Sequence, residues 1–163
     1  MPGCDGCLCC KEVGELLERC GGMRDGAPLA AVAPGGASSL FLGADALDVE
    51  IDFDALSEAG SMLGSGAAIY VAEGRDLREV GLDVTRFFRN ESCGKCVPCR
   101  VGTEKAVKML EAQGRVGEST HAALRELHRT LERTSICGLG QVALAPLLSI
   151  LKRFPAAAVE DDG

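Results

Sequence analysis

Tryptophan is absent from this 163-residue chain and Tyr70 is its single tyrosine. Few aromatic faces remain on which bases could stack. An excess of positive charge is missing too, since the formal net charge is −7. That balance argues against nucleic acid or an anionic membrane surface as a partner. No run is long and apolar enough to span a bilayer, so no membrane insertion is expected. The start, Met-Pro-Gly-Cys-Asp-Gly, lacks the basic stretch followed by an apolar one that marks a signal peptide. The chain does have nine cysteines. Without a secretory signal they read as ligands in a reducing cytoplasm rather than as disulfide bridges. The length admits one domain or two very small ones, with enough apolar residues for a core.

Four of these cysteines form a pattern. Cys93, Cys96 and Cys99 lie in Cys-Gly-Lys-Cys-Val-Pro-Cys-Arg, and Cys137 lies far downstream in Ile-Cys-Gly-Leu-Gly. Three thiolates at two-residue spacing wrap one side of a small inorganic cluster, and a remote fourth closes the cage, as in a [4Fe–4S] cubane. The competing reading is a tetrahedral zinc site, which usually shows two paired Cys-x2-Cys knuckles. A cage held by four thiolates is anionic and needs compensation when buried. Arg86, Arg89, Lys95, Arg100, Lys105 and Lys108 form a local basic collar. Lys95 and Arg100, inside the ligand loop, suit cluster stabilisation, whereas Lys105 and Lys108 suit a solvated helix face. Gly94, Gly138 and Gly140 let backbone amides approach the sulfurs, and such hydrogen bonds raise a reduction potential. Pro98 fixes the loop. With every iron corner held by thiolate, no position stays open for substrate, so relay is favoured over catalysis and no catalytic residue is assigned. His121 and His128 are read as surface histidines, and Met62 and Met109 as core filler.

The fold class expected is α+β. Residues 12–20 carry Val13, Leu16, Leu17 and Cys20 at helical spacing, stopped by Gly21 and Gly22. Leu29–Ala33 and Ala67–Val71 read as strands. Leu47, Val49, Ile51 and Phe53 alternate with Asp48, Glu50, Asp52 and Asp54, the period of a strand with one wet face. Asp54 is the expected cap of a short helix after it. From Asp76 the period turns helical, with Leu77, Val80, Val84, Phe87 and Phe88 on one face of a helix ending near Asn90. A second helix from about Arg100 buries Val101, Val107 and Leu110. A third, capped by Ser119 or Thr120, buries Leu124, Leu127 and Leu131. A last one runs from about Ala145 to Phe154, with Pro146 in its first turn. The expected organisation is a cysteine-rich segment over 1–12, a small α+β unit over 13–74, a four-helix bundle over 75–155 and a disordered tail over 156–163.

Cys4, Cys7 and Cys10 repeat the spacing of the main triad, with Cys20, or less comfortably Cys9, as fourth ligand. This predicts a second iron–sulfur cluster, against the competing readings of a zinc knuckle or a flexible thiol-rich end.

At Glu91-Ser-Cys-Gly-Lys-Cys-Val-Pro-Cys-Arg-Val-Gly-Thr and Ser135-Ile-Cys-Gly-Leu-Gly the chain resembles the NADH-binding flavoprotein subunit of NADH:quinone oxidoreductase. It is similar in the same way to diaphorase subunits of hydrogenases and formate dehydrogenases. The likeness runs back through Ala31-Val-Ala-Pro-Gly-Gly-Ala-Ser-Ser, Asp52-Phe-Asp-Ala-Leu and Gly60-Ser-Met-Leu-Gly-Ser-Gly-Ala-Ala-Ile-Tyr-Val, over roughly residues 13–155. The resemblance implies a ubiquitin-like (SLBB, β-grasp) domain followed by a four-helix cluster domain. It also implies that Cys93, Cys96, Cys99 and Cys137 hold a [4Fe–4S] cluster taking electrons from flavin. Such proteins carry a large N-terminal domain for FMN and NADH with a glycine-rich segment, and none is found here. Neither FMN nor NAD is therefore expected on this chain, nor NADH oxidation by it alone. The leading expectation is an electron-transfer subunit docked to other redox subunits, whether flavoprotein, iron–sulfur or metal-catalytic. The alternatives are a structural adaptor whose cluster or zinc only holds the fold, and half of a split NADH:acceptor oxidoreductase with flavin on another chain.

Overall fold

The computed structural model describes residues 12–112 and 116–154. Cys4, Cys7, Cys9 and Cys10, positions 113–115, where a loop is expected from Gly114, and the acidic tail lie outside the described residues. The chain divides into two compact units between Arg75 and Asp76. A small sheet with helices in the first and helices alone in the second give the α+β class expected.

The N-terminal unit holds α1 (Val13–Arg19), β1 (Leu29–Ala33), β2 (Leu42–Gly43), α2 (Phe53–Glu58) and β3 (Ile69–Ala72). Helix α1 ends where Gly21 and Gly22 take positive φ (97° and 76°) and return their amides to the Glu18 and Leu17 carbonyls. That is the left-handed stop for which glycine is suited. Strand β1 lies between β2 and β3, antiparallel to both, with Val32 opposite Leu42 and Tyr70. Its unbroken apolar run is what a strand covered on both faces requires. Val13, Leu29, Val32, Leu42, Ala46, Ile51 and Leu56 form the core, with Leu47, Val49, Leu63 and Tyr70 packed around them. The Tyr70 hydroxyl donates to the Val13 carbonyl over 2.7 Å, tying β3 to α1. Burial, and secondarily the charge of Cys20, pushes its pKa up to about 12.

The alternating run 47–53 does not form the expected strand. Leu47 continues a 3₁₀ turn at Ala44–Ala46, and only Glu50 makes a bridge, to Glu12. The alternation still places Ile51 inside and Asp48 and Glu50 outside. The backbone finds other partners: the Val13 and Gly14 amides donate to the Val49 and Leu47 carbonyls over 2.9 and 2.7 Å. The first turn of α1, whose amides have no partner within the helix, thus takes the carbonyls a neighbouring strand would have used. Alternation fails at Phe53, which opens α2 and is 75% exposed. Asp52, not Asp54, is the cap, its carboxylate accepting from the Ala55 amide over 2.7 Å.

The helical unit holds α3 (Leu77–Asn90), α4 (Val97–Glu111), α5 (Glu118–Thr134), α6 (Gly138–Val142) and α7 (Ala145–Arg153). These are five helices among the described residues rather than four, because five residues after Cys137 close a short turn of their own. Asp76 caps α3 by accepting from the Arg78 and Glu79 amides. The buried Arg78 guanidinium donates to the Leu110 carbonyl, fastening the start of α3 to the end of α4. Leu82, Phe88, Val107, Leu110, Leu124, Leu131, Leu144, Leu147 and Ile150 fill the interior. Three expected core residues stand further out: Phe87 and Val101 are exposed, and Leu127 is half-buried. Phe87 instead meets Phe88 edge-on. Neither Ser119 nor Thr120 caps α5; Gly117 occupies that position and the Thr120 side chain is buried. Gly102 on α4 lies so close to Leu131 on α5 that a Cβ there would collide with the leucine.

Candidate functional site

Helix α3 stops at Asn90, and the chain turns through Gly94, at φ 74°, to enter α4. Cys93 lies in that turn, Cys96 is the N-cap of α4, and Cys99 falls in its first turn after Pro98. Proline is suited there because the first helical amides have no intrahelical acceptor. Cys137 is likewise an N-cap, that of α6. Cys93 and Cys137 are exposed, Cys96 is half-buried and Cys99 is buried.

Two contacts bring the distant loop to the triad. The backbone amide of Ile136, and after it that of Cys99, favours the Cys96 thiolate and holds this thiol below its usual pKa, against the opposing effect of desolvation. Gly140 in α6 faces Cys99: a Cβ on it would stand 3.0 Å from the Cys99 Cβ and 2.5 Å from the Ser135 Oγ. Cys96, Cys99 and the segment carrying Cys137 therefore meet at one end of the helical unit, beside the turn that carries Cys93. A single tetrahedral zinc at about 2.3 Å would draw its sulfurs to within about 4 Å of one another. No His, Cys, Asp or Glu side chains gather as three or more for a metal ion among the described residues.

The surroundings are rich in hydrogen-bond donors. The buried Ser135 hydroxyl has no partner among the described residues. Ser92 Oγ lies 3.2 Å from the Cys99 sulfur and receives the Gly94 amide at 3.3 Å. Both serines lie in the motifs that carry the resemblance, yet residue order assigns neither a role, because nothing in it shows that residue 92 folds back onto residue 99. The donor set, thiolates surrounded by amides and hydroxyls, fits an anionic sulfur-held group.

The basic collar divides into two kinds. Arg86 pairs with Glu111 and Asp83, and Arg89 and Lys108 pair with Glu104. Lys95 and Arg100 are exposed and make no ion pair among the described residues, and the Arg100 stem lies over Gly94. Gly138 opens α6 in open space, with nothing near enough to crowd a side chain. Val97 and Ile136, each beside a cysteine, are 60% and 70% exposed. Cys20 is exposed at the end of α1 in the other unit. His121 lies near Glu118, and His128 has a buried Nδ1 without a partner among the described residues. No helix among the described residues is long and apolar enough to cross a membrane.

Residues 79–161 match the model of the NADH-ubiquinone oxidoreductase-F iron–sulfur binding region. The F 1 subunit of the NADH-quinone oxidoreductase of Rhizobium meliloti (strain 1021) is 37% identical over 145 residues, covering 86% of this chain and 33% of the relative. The mitochondrial 51 kDa subunit of the Neurospora crassa NADH-ubiquinone oxidoreductase is 38% identical over 147 residues, covering 86% and 29%. The crystal structure of an NAD+-reducing [NiFe]-hydrogenase in the H2-reduced state matches with a TM-score of 0.77 and 25% identity, over 94% of this chain and 27% of that one. The chain spans about a third of the length of the curated relatives it matches.

Proposed function

Since the chain belongs to the family of the NADH-ubiquinone oxidoreductase-F iron–sulfur binding region, we propose that it is an electron-transfer subunit of a multisubunit oxidoreductase. Cys93, Cys96, Cys99 and Cys137 hold its [4Fe–4S] cluster. When bound, such a cluster supplies a one-electron carrier. The observation that carries this reading is the close approach of Gly140, three residues beyond Cys137, to Cys99 and Ser135, which supports the remote cysteine as a partner of the triad. Lys95 and Arg100, in no ion pair among the described residues, offset the negative charge of the thiolate cage. The amide of Gly138 opens α6 beside Cys137. Val97 and Ile136 offer an apolar surface next to the ligands for a redox partner, whether flavoprotein, iron–sulfur or metal-catalytic subunit. In this reading FMN and NAD are bound outside these 163 residues, and the free thiols suit the reducing cytoplasm.

A second iron–sulfur cluster on Cys4, Cys7, Cys10 and Cys20 is supported by their spacing and by the exposure of Cys20.

Iron and sulfide determination on anaerobically purified chain, with low-temperature EPR after dithionite, tests both. One cluster gives about four irons per chain and a signal that appears on reduction. Cys137→Ser removes that signal. A colourless chain that carries zinc instead supports the adaptor reading and overturns the relay. A Cys4/Cys7/Cys10→Ser triple variant with unchanged iron dismisses the second cluster.

A further inference from the structure

Ser92 precedes the first cysteine of the triad and is not itself a thiol, yet its hydroxyl lies on the Cys99 sulfur. With the thiol protonated, Cys99 donates to Ser92 Oγ over 3.2 Å, and the Gly94 amide donates to the same oxygen over 3.3 Å. Cys99 is the buried member of the quartet, 5% exposed, so solvent competes little for its sulfur. Binding to iron removes the thiol proton, because the thiolate is the ligand. The contact must then reverse. With the Gly94 amide directed at the Ser92 oxygen, the hydroxyl proton is left to point at the sulfur.

We propose that Ser92 is a tuning residue of the cluster site: its hydroxyl donates to the Cys99 thiolate and raises the reduction potential of the bound cluster. The proposal rests on the cysteine assignment above. Reduction adds one electron, and hence one unit of negative charge, to the thiolate cage. A donor aimed at a ligand sulfur stabilises that added charge, and more so where water is scarce. No bond breaks, and the serine proton stays on oxygen throughout.

The test is a dithionite titration of the full-length wild-type, Ser92→Ala and Ser92→Thr chains, followed by EPR, with iron and sulfide measured on each. Ser92→Ala is expected to keep its iron and to show a reduced-to-oxidised ratio about tenfold lower at a given potential. For a one-electron couple that is a shift of about 59 mV downward. Ser92→Thr, which keeps the hydroxyl, is expected to stay near wild type. An alanine variant with full iron and an unmoved midpoint overturns the proposal while leaving the cysteine assignment intact. An alanine variant that holds no iron assigns Ser92 to assembly instead, and overturns the proposal too. Wild-type chain free of iron overturns the cysteine assignment and the proposal with it.

Discussion

The two units use small and polar residues for opposite ends. In the N-terminal unit Gly35, Ser39 and Ser61 are answered from within. Gly35 lies so close to the Met62 and Leu63 carbonyls that a Cβ would collide with both. The Ser39 hydroxyl donates to the Gly36 carbonyl and accepts from the Gly35 amide, and the Ser61 hydroxyl donates to the Leu40 carbonyl. In the helical unit Thr103 and Gly102 are likewise met from within, but at the cysteine end comparable groups are not. Ser135 has a buried hydroxyl without a partner among the described residues, two cysteines are exposed, and so are Val97 and Ile136. A glycine-rich stretch is therefore a poor marker of a site by itself. Donors left over beside thiols mark it better, because an unpaired buried donor is costly unless a ligand accepts from it.

This contrast is challenged most sharply by Leu56→Ala. Leu56 is fully buried in the N-terminal core, and its loss should cost about 2–5 kcal/mol in urea unfolding followed by circular dichroism. The EPR signal that Cys137→Ser removes should stay unchanged. Loss of that signal together with stability would mean that the two units do not divide structure from this site.

A smaller effect, of about 1–3 kcal/mol, is expected for Gly102→Val, since its side chain would overlap Leu131 and push α4 from α5. Here iron content should fall as well, because α4 carries Cys96 and Cys99 at its start. Retained iron would show that the crossing of α4 and α5 does not set the ligand geometry.

The gentlest test is alkaline unfolding. Folding raises the Tyr70 pKa from 10.0 to about 12, so the folded chain keeps a proton that the unfolded chain releases. Its contribution is complete below about pH 10 and is lost as the pH climbs toward 12. Tyr70→Phe should flatten that decline in stability over the same window. An unchanged profile would assign the alkaline loss to other groups.

Much of this was legible in residue order, where local spacing alone decides the outcome. The glycine pair that ends α1, the apolar run of β1, the helical period from Asp76 and Pro146 opening α7 all act through neighbours within a turn. The two-residue spacing of the cysteine triad is equally local, and it is what the ligand assignment proposed above starts from. The alternating run at 47–53 misled because alternation reports which side is wet, not which backbone partner is taken. Val49 and Leu47 gave their carbonyls to α1, a choice made by an element more than thirty positions earlier. Val101 reads as core on periodicity, yet it stands half in solvent at the cysteine end.

Residue order alone points to sulfur-ligand chemistry, because thiol spacing and nearby cations are properties of position along the chain. Which groups attend those thiols is a matter of packing. The Ile136 amide reaches Cys96, Gly140 lies against Cys99, and the Ser92 hydroxyl returns to the Cys99 sulfur. Hydrogen bonds act over about 3 Å, and that proximity is set by how helices pack, not by the number of residues between two positions.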